Sequence, residues 1–224
     1  MGYYIDLQSI SIDNYKGILK TATMIPSWKI LKKNIDKNLD LIKEQGIHNL
    51  DELQKALKNK GTVHEFSKQS GLREDYLTIL RRAVNGYHPK PNRIKDFPGI
   101  NEDVILKLEV LGIKNTLRLY EEILTLEKRN ELAAKTGISK EEITKLTKLT
   151  DLSRIKWVNH TFAYVLMEAG YETAETVANA DYQELYEAVK QLNKEREIFK
   201  GHIGANDMKF CIEAAQSLNF EIEY

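Results

Sequence analysis

Apolar residues recur three and four positions apart along most of the chain, the period of helices that bury one face. Such runs contain Leu39 and Ile42, Ile105 and Leu108, and Ala163 and Leu166. Each run ends in a similar phrase: EQGIHNLDEL with Gly46, VLGIKNTLRL with Gly112, and EAGYETAETV with Gly170. A glycine just past a helix, then a short polar residue opening the next one, reads as a stop followed by an N-cap. A second glycine marker recurs at Gly71, Gly137 and Gly204. Gly46 and Gly112 are 66 residues apart, as are Gly71 and Gly137, and Gly137 and Gly204 are 67 apart. Gly112 and Gly170 are only 58 apart, so a third copy rearranges its middle. Between the markers, Thr62 with Glu65, Ser139 with Glu142, and Asp181 with Glu184 have capping-box spacing. The pattern predicts an all-α fold of three tandem units, each of roughly four short helices and about 60–70 residues, with neighbours sharing a core.

Breaks in the period divide the chain. Pro26 suits the first turn of a helix starting near Ser27. The sequence His88-Pro89-Lys90-Pro91 stops the helix that ends near Asn85, because prolines disfavour helix at their own and the preceding position. This predicts a degenerate N-terminal helical repeat over residues 1–90 and two further repeats over 91–224. Tyr3–Leu7 and Phe220–Tyr224 have strand-like composition or alternation, which predicts a small two-stranded ribbon lying on the helices.

One motif stands out. Ile94–Leu124 reads IKDFPGINEDVILKLEVLGIKNTLRLYEEIL and resembles a helix-hairpin-helix: a helix, a tight Pro-Gly-apolar turn, a second helix, then a glycine. Asp151–Ala174 repeats it with Trp157, Val158 and Asn159 at the turn, and Ser27–Ile47 is a worn copy with Lys32, Lys33 and Asn34 there. The order of these units, with LAAKTGIS at Leu132–Ser139 and DLSRIKWV at Asp151–Val158, resembles a bacterial family known as domain of unknown function 4332. The resemblance covers about residues 25–218 and implies a tandem helix-hairpin-helix fold, with no reaction attached. In DNA-binding members of the wider class, a Gly-apolar-Gly turn offers backbone N–H groups to a phosphate, aided by the following helix N-terminus. Here only Gly99 remains of the two glycines, Asn101 takes the second place, and Glu102 and Asp103 follow. In the next copy Trp157 and Asn159 replace both glycines. Asparagine tolerates left-handed backbone, which would preserve the turn. Two acids beside one glycine make a poor anion nest, so lysines are expected to carry more of any phosphate contact than the turn.

Charge sharpens that expectation. The 33 basic and 33 acidic residues cancel, yet residues 1–100 carry net +6, residues 101–156 net +1, and residues 157–224 net −7. The densest basic run is Lys16, Lys20, Lys29, Lys32, Lys33 and Lys37, opposed in sequence only by Asp36. A second is Arg81, Arg82, Lys90, Arg93 and Lys95, with no acid between. Two functional classes follow. The sharper one is non-specific contact with a DNA or RNA backbone through Lys29, Lys32, Lys33, Arg81, Arg82, Lys90, Arg93 and Lys95, with Gly99 and Asn101 at the turn. The alternative is a scaffold that binds a protein partner on the acidic C-terminal third and does not touch nucleic acid. The neutral total favours the second.

Enzymatic chemistry finds little footing. There is no P-loop, dinucleotide-binding glycine fingerprint or G-x-S-x-G. Each of the five histidines lacks a second histidine or a cysteine three or four residues away, so no metal and no cofactor is expected. Cys211, the single cysteine, follows Phe210 on an apolar face and is expected to be buried and inert. Glu121-Glu122 and Glu141-Glu142 splay on their helices and form no acid–base pair. Trp28 and Trp157 are expected to anchor packing, and Tyr182 with Tyr186 to line a core stripe or a seam. No apolar run approaches the roughly 18–20 residues of a membrane helix, and MGYYIDLQSI is no signal peptide. The expectation is a cytoplasmic, non-enzymatic helical protein without a membrane partner.

Overall fold

In the computed structural model, which describes residues 2–224, the chain folds into helices that gather in two compact units. One unit comprises residues 5–88, the other residues 89–224 together with residues 2–4. The described residues are all-α.

The unit of residues 5–88 holds α1 (Ile12–Thr21), a 3-10 segment Pro26–Lys32, α2 (Ile35–Glu44), α3 (Leu50–Ala56), α4 (Lys60–Ser70) and α5 (Glu74–Asn85). Pro26 occupies the first turn of the 3-10 segment, as its fixed φ favours. α1 packs on α2, α3 and α4 pack on α5, and the 3-10 segment lies against α5. Tyr15, Leu31, Leu39, Ile42, Leu53 and Leu77 form the centre of its core. Its entry segment is tied to the start of α3 by an antiparallel bridge in which the Ile12 amide donates to the His48 carbonyl (2.9 Å) and the Leu50 amide to that of Ile10 (3.0 Å).

The other unit holds a 3-10 turn Ile94–Asp96, α6 (Glu102–Val110), α7 (Thr116–Tyr120), α8 (Leu126–Thr136), α9 (Lys140–Leu152), α10 (His160–Glu168), α11 (Ala174–Ala178), α12 (Tyr182–Arg196) and α13 (Ala205–Ala215). α9 is its hub, packing on α7, α8 and α10, while α13 closes over α11 and α12. Here too a bridge ties the entry segment to a later cap: the Ile94 amide donates to Lys114 (3.1 Å) and the Thr116 amide to Asn92 (2.9 Å).

Gly46, Gly112 and Gly170 each sit two residues beyond a helix (α2, α6 and α10), with φ of 79°, 77° and 91°, a conformation that L side chains resist. Asn49, Asn115 and Thr173 then cap α3, α7 and α11 through their side-chain oxygens. Gly71 and Gly137 terminate α4 and α8 in the same left-handed region. Gly204 does otherwise. It is the N-cap of α13 with φ −118°, and the left-handed residue that ends α12 is Glu197. The box around Thr62 is also shifted: Asn59 is the cap, and Thr62 accepts from its amide in return. Ser139 and Asp181 cap α9 and α12 as the spacing predicts.

The expected terminal ribbon is absent among the described residues, and the ends serve the helical core instead. Tyr3 and Ile222 insert into one hydrophobic cluster with Ile94, Leu119 and Tyr120, and the Glu223 amide donates to the Leu124 carbonyl (2.9 Å). Each end gains more by burying one large side chain than two short edges would gain by pairing. The tyrosine stripe is likewise displaced. α12 buries Leu185 and Val189, and Tyr182 and Tyr186 lie half-buried beneath Lys209 (4.1 Å) and Lys190 (5.0 Å).

Candidate nucleic-acid interface

The turn around Gly99 is exposed and leads into α6. Ile94 and Phe97 are buried, and Arg93 just before them forks onto the Asp96 carboxylate (2.8 and 2.9 Å). That pair lowers the Asp96 carboxyl below the usual carboxylate range. Pro98 leads into Gly99, whose φ is 68°. Asn101 is extended, with φ −67°, and its side chain accepts from the Asp103 amide (2.9 Å). The left-handed position is therefore the glycine alone, and asparagine acts as a cap. Lys145, from the middle of α9, donates to the Gly99 carbonyl (2.7 Å), and a Cβ at Gly99 would lie 3.4 Å from its Nζ and 3.6 Å from the Tyr164 hydroxyl. The turn thus carries an ammonium group that no neighbouring residue in sequence supplies. Of the two acids beyond it, Asp103 is engaged by Lys107 (2.8 Å).

The next turn has the same course with different chemistry. Ile155 and Val158 are buried, the Val158 amide donates to Ile155 (3.0 Å), and Asn159 caps α10 through the Phe162 amide (2.9 Å). The left-handed residue is Trp157, with φ 71°. A bulky residue held there costs about 1–3 kcal/mol. Trp157 is 53% exposed. Phe210 meets it edge-on at 5.8 Å, and Lys156 Nζ lies 4.6 Å from its ring centroid. Burial lowers the Lys156 amine to about 8. In the Lys32–Asn34 turn the left-handed residue is Asn34, with φ 50°, directly before α2. The other tryptophan, Trp28, packs partly buried against the core of residues 5–88.

The DLSRIKWV phrase builds a buried ion pair behind the Trp157 turn. Arg154 is 2% exposed and forks between Asp151 (2.9 Å), the Tyr3 carbonyl (3.2 Å) and the Asn219 carbonyl (2.9 Å). Its guanidinium lies 4.7 Å from the Tyr120 ring centroid. Asp151 also accepts from the Ala174 amide (2.8 Å) and the Tyr224 hydroxyl (3.2 Å). Every group here is occupied by the protein itself.

The basic residues separate. Lys29, Lys32, Lys33, Arg81 and Arg82 belong to the unit of residues 5–88, and Lys90, Arg93, Lys95, Gly99 and Asn101 to the other. Lys29, Lys32, Lys33, Arg82, Lys90 and Lys95 are exposed, and no ion pair engages them among the described residues. Lys32 donates to the Lys20 carbonyl (3.0 Å), and Arg81 is turned onto the Lys58 carbonyl (2.9 Å). Folding brings acids that the local sequence order hides. Lys16 meets Asp40 (3.0 Å), Lys20 meets Asp36 (2.7 Å), and Lys43 meets Asp13 (2.9 Å). Sequence reasoning missed Lys145, Tyr164 and Lys156. Lys140, Lys145 and Lys148 recur along one stretch of α9, a hint of a basic face, but only tertiary packing aims Lys145 at the turn.

Beside that face lies a cleft of about 430 Å³ lined by three lysines, Lys140, Lys145 and Lys148, and three glutamates, Glu141, Glu168 and Glu172. Lys148 is paired with Glu172 (2.6 Å), so the cleft has no charge surplus to attract a small anion. Among the described residues no group of three His, Cys, Asp or Glu side chains could hold a metal ion, and no helix is long and apolar enough to cross a membrane. Cys211 is buried, and burial pushes its thiol up to about 12.

A family model described as Domain of unknown function (DUF4332) matches residues 98–218, which include both exposed turns, and the chain belongs to that family. The match begins at Pro98, so it leaves out the segment from residue 25 to residue 97 over which the sequence resemblance also extends. No curated protein and no solved structure matches the chain.

Proposed function

From membership of DUF4332 and the geometry of the Gly99 turn, we propose that this chain is a non-enzymatic helix-hairpin-helix module that contacts nucleic-acid backbone without sequence preference. The observation that carries the reading is Lys145 on the Gly99 carbonyl, at an exposed left-handed turn preceding the N-terminus of α6. A glycine there lets a phosphate approach the backbone, the helix dipole favours an anion, and the ammonium group compensates for Glu102 and Asp103. Lys90 and Lys95, exposed on the approach to the turn, extend the positive surface. Lys29, Lys32, Lys33 and Arg82 offer weaker, separate phosphate contacts on the other unit. The non-enzymatic part is supported by the site's contents: lysines and backbone, with the one thiol buried and the Asp151 carboxylate committed to Arg154.

Fluorescence anisotropy with a labelled DNA duplex at low salt tests this reading. Binding is expected with Kd of about 10⁻⁴–10⁻⁶ M, weakening steeply as salt rises. Lys145→Ala should weaken it several-fold with the melting temperature held. A wild-type chain that binds neither duplex nor single-stranded DNA at low salt overturns the reading.

A second reading, a protein-binding scaffold, has an observation of its own. Leu106 and Val110 are four residues apart on α6 and 56% and 85% exposed, which puts two apolar side chains on one solvent-facing stripe. This stripe lies outside the acidic final third to which charge alone points.

A further inference from the structure

Trp157 holds a position in its turn that in the neighbouring copy is glycine, and it does so in a backbone conformation that a bulky side chain resists. Its ring is 53% exposed, so burial gives little compensation for the strain. The edge of Phe210 at 5.8 Å and Lys156 Nζ at 4.6 Å from the centroid lie against the ring. The two turns are also neighbours. α10 starts three residues after Trp157, its first residue His160 meets Phe97 edge-on at 6.2 Å, and Tyr164 lies against Gly99. His160 and Tyr164 are one helical turn apart, about 6 Å along the axis. Through α10 the Trp157 turn and the Gly99 turn are thus joined within one compact unit.

We infer that Trp157 is a stacking platform for an unpaired nucleobase, so that the preferred ligand of this face is single-stranded rather than duplex nucleic acid. The inference rests on the reading of the Gly99 turn as a backbone contact. An exposed aromatic ring beside a positive groove is how sequence-tolerant single-strand binders hold bases, because every base has a π-face. In a duplex the bases are stacked on each other and closed to such a ring. Lys156 Nζ, 4.6 Å from the centroid, lies beside the indole.

The test uses the full chain and two probes, a short oligothymidylate and a DNA duplex of equal length. In a Trp28→Phe background, Trp157 is the one tryptophan, and the oligothymidylate should quench its fluorescence. Trp157→Gly should keep or raise the melting temperature, because glycine accepts the left-handed backbone. It should weaken oligothymidylate binding about 5- to 150-fold, the loss expected for one base–aromatic stack, and leave duplex binding within about a factor of two. Trp157→Asn, which tolerates the same backbone without a ring, repeats the measurement should the glycine variant be less stable. A folded variant of either kind that binds oligothymidylate as well as the wild type overturns the inference. Loss of duplex and single-strand binding together on Lys145→Ala, with Trp157→Gly silent, upholds the turn and rejects the stack. Quenching of Trp157 by oligothymidylate without any duplex binding rejects duplex contact at the turn and upholds the stack.

Discussion

Arg154 and Asp151 illustrate what a single pair does in this chain. Both are nearly devoid of solvent, and between them they engage the Tyr3 and Asn219 carbonyls, the Ala174 amide and the Tyr224 hydroxyl. Removing one partner strands a buried charge, so Asp151→Ala should lower the stability of this unit by about 3–5 kcal/mol, read from urea denaturation. An exposed pair such as Arg73–Asp75 should cost less than about 1 kcal/mol in the same assay. Lys156 makes a second prediction at this scale. Its amine has an ordinary value of 10.5 and is held down to about 8 by burial, so the folded chain disfavours the charged form. Between those values the unfolded chain binds more protons, and stability should rise with pH across that window. The denaturation midpoint of wild type should climb from about pH 8 toward pH 10 relative to Lys156→Met, which lacks the group. A parallel course for the two chains would show that Lys156 is not desolvated. The three-residue spacing of Asp151 and Arg154 is legible in the sequence as a local ion pair. Its burial is not, because the groups that cover it come from both ends of the chain.

Among the elements, local signals locate most helices and tertiary context decides the rest. Gly112 and Gly17 put this to a test with one substitution type. Gly112 has φ 77°, so alanine there is strained even though nothing crowds the site, and should destabilise by more than about 1 kcal/mol. Gly17 lies exposed inside α1 with open space around it, so alanine should stabilise by about 0.4–1 kcal/mol. Thermal melts of the two variants should therefore move in opposite directions. The stops at Gly46, Gly112 and Gly170 were legible because a left-handed residue after an apolar period has few other uses. Gly204 misled for the complementary reason: glycine is also an acceptable N-cap, and spacing alone does not separate the two. The strand-like ends misled because alternation over five residues describes any extended segment with one buried side chain. Trp157 shows the limit most plainly, since no propensity places tryptophan at a left-handed turn.

Across the whole molecule, the balance of charge hides which cations are paired. Lysines along the first half meet Asp13 and Asp40 from adjoining helices as well as Asp36, and Arg93 is taken by Asp96. Charge runs are read along the sequence, whereas pairing occurs across helices, so this part of the site was not legible. The salt dependence of duplex binding separates the two pictures. Each phosphate neutralised by a cation contributes about −0.9 to the slope of log K against log salt. If all eight basic residues singled out along the chain engaged phosphate, the slope would be about −7. If binding rests on the Gly99 turn with Lys90, Lys95 and Lys145, about three contacts act and the slope should be near −3. The shallow slope is the expected outcome, because these three cations belong to one compact unit with the turn and form no ion pair among the described residues. Replacing Lys90 and Lys95 together with Gln should then reduce the slope by about two while leaving residual binding at the turn. Gly99→Val should act differently. It lowers affinity at every salt concentration without changing the slope, since it removes backbone approach and no cation. Its left-handed φ makes valine strained there, so the comparison is read at a temperature where melting shows the variant folded. A steep slope that Lys90→Gln and Lys95→Gln barely alter would move the binding surface to the lysines of residues 5–88 and away from the hairpin.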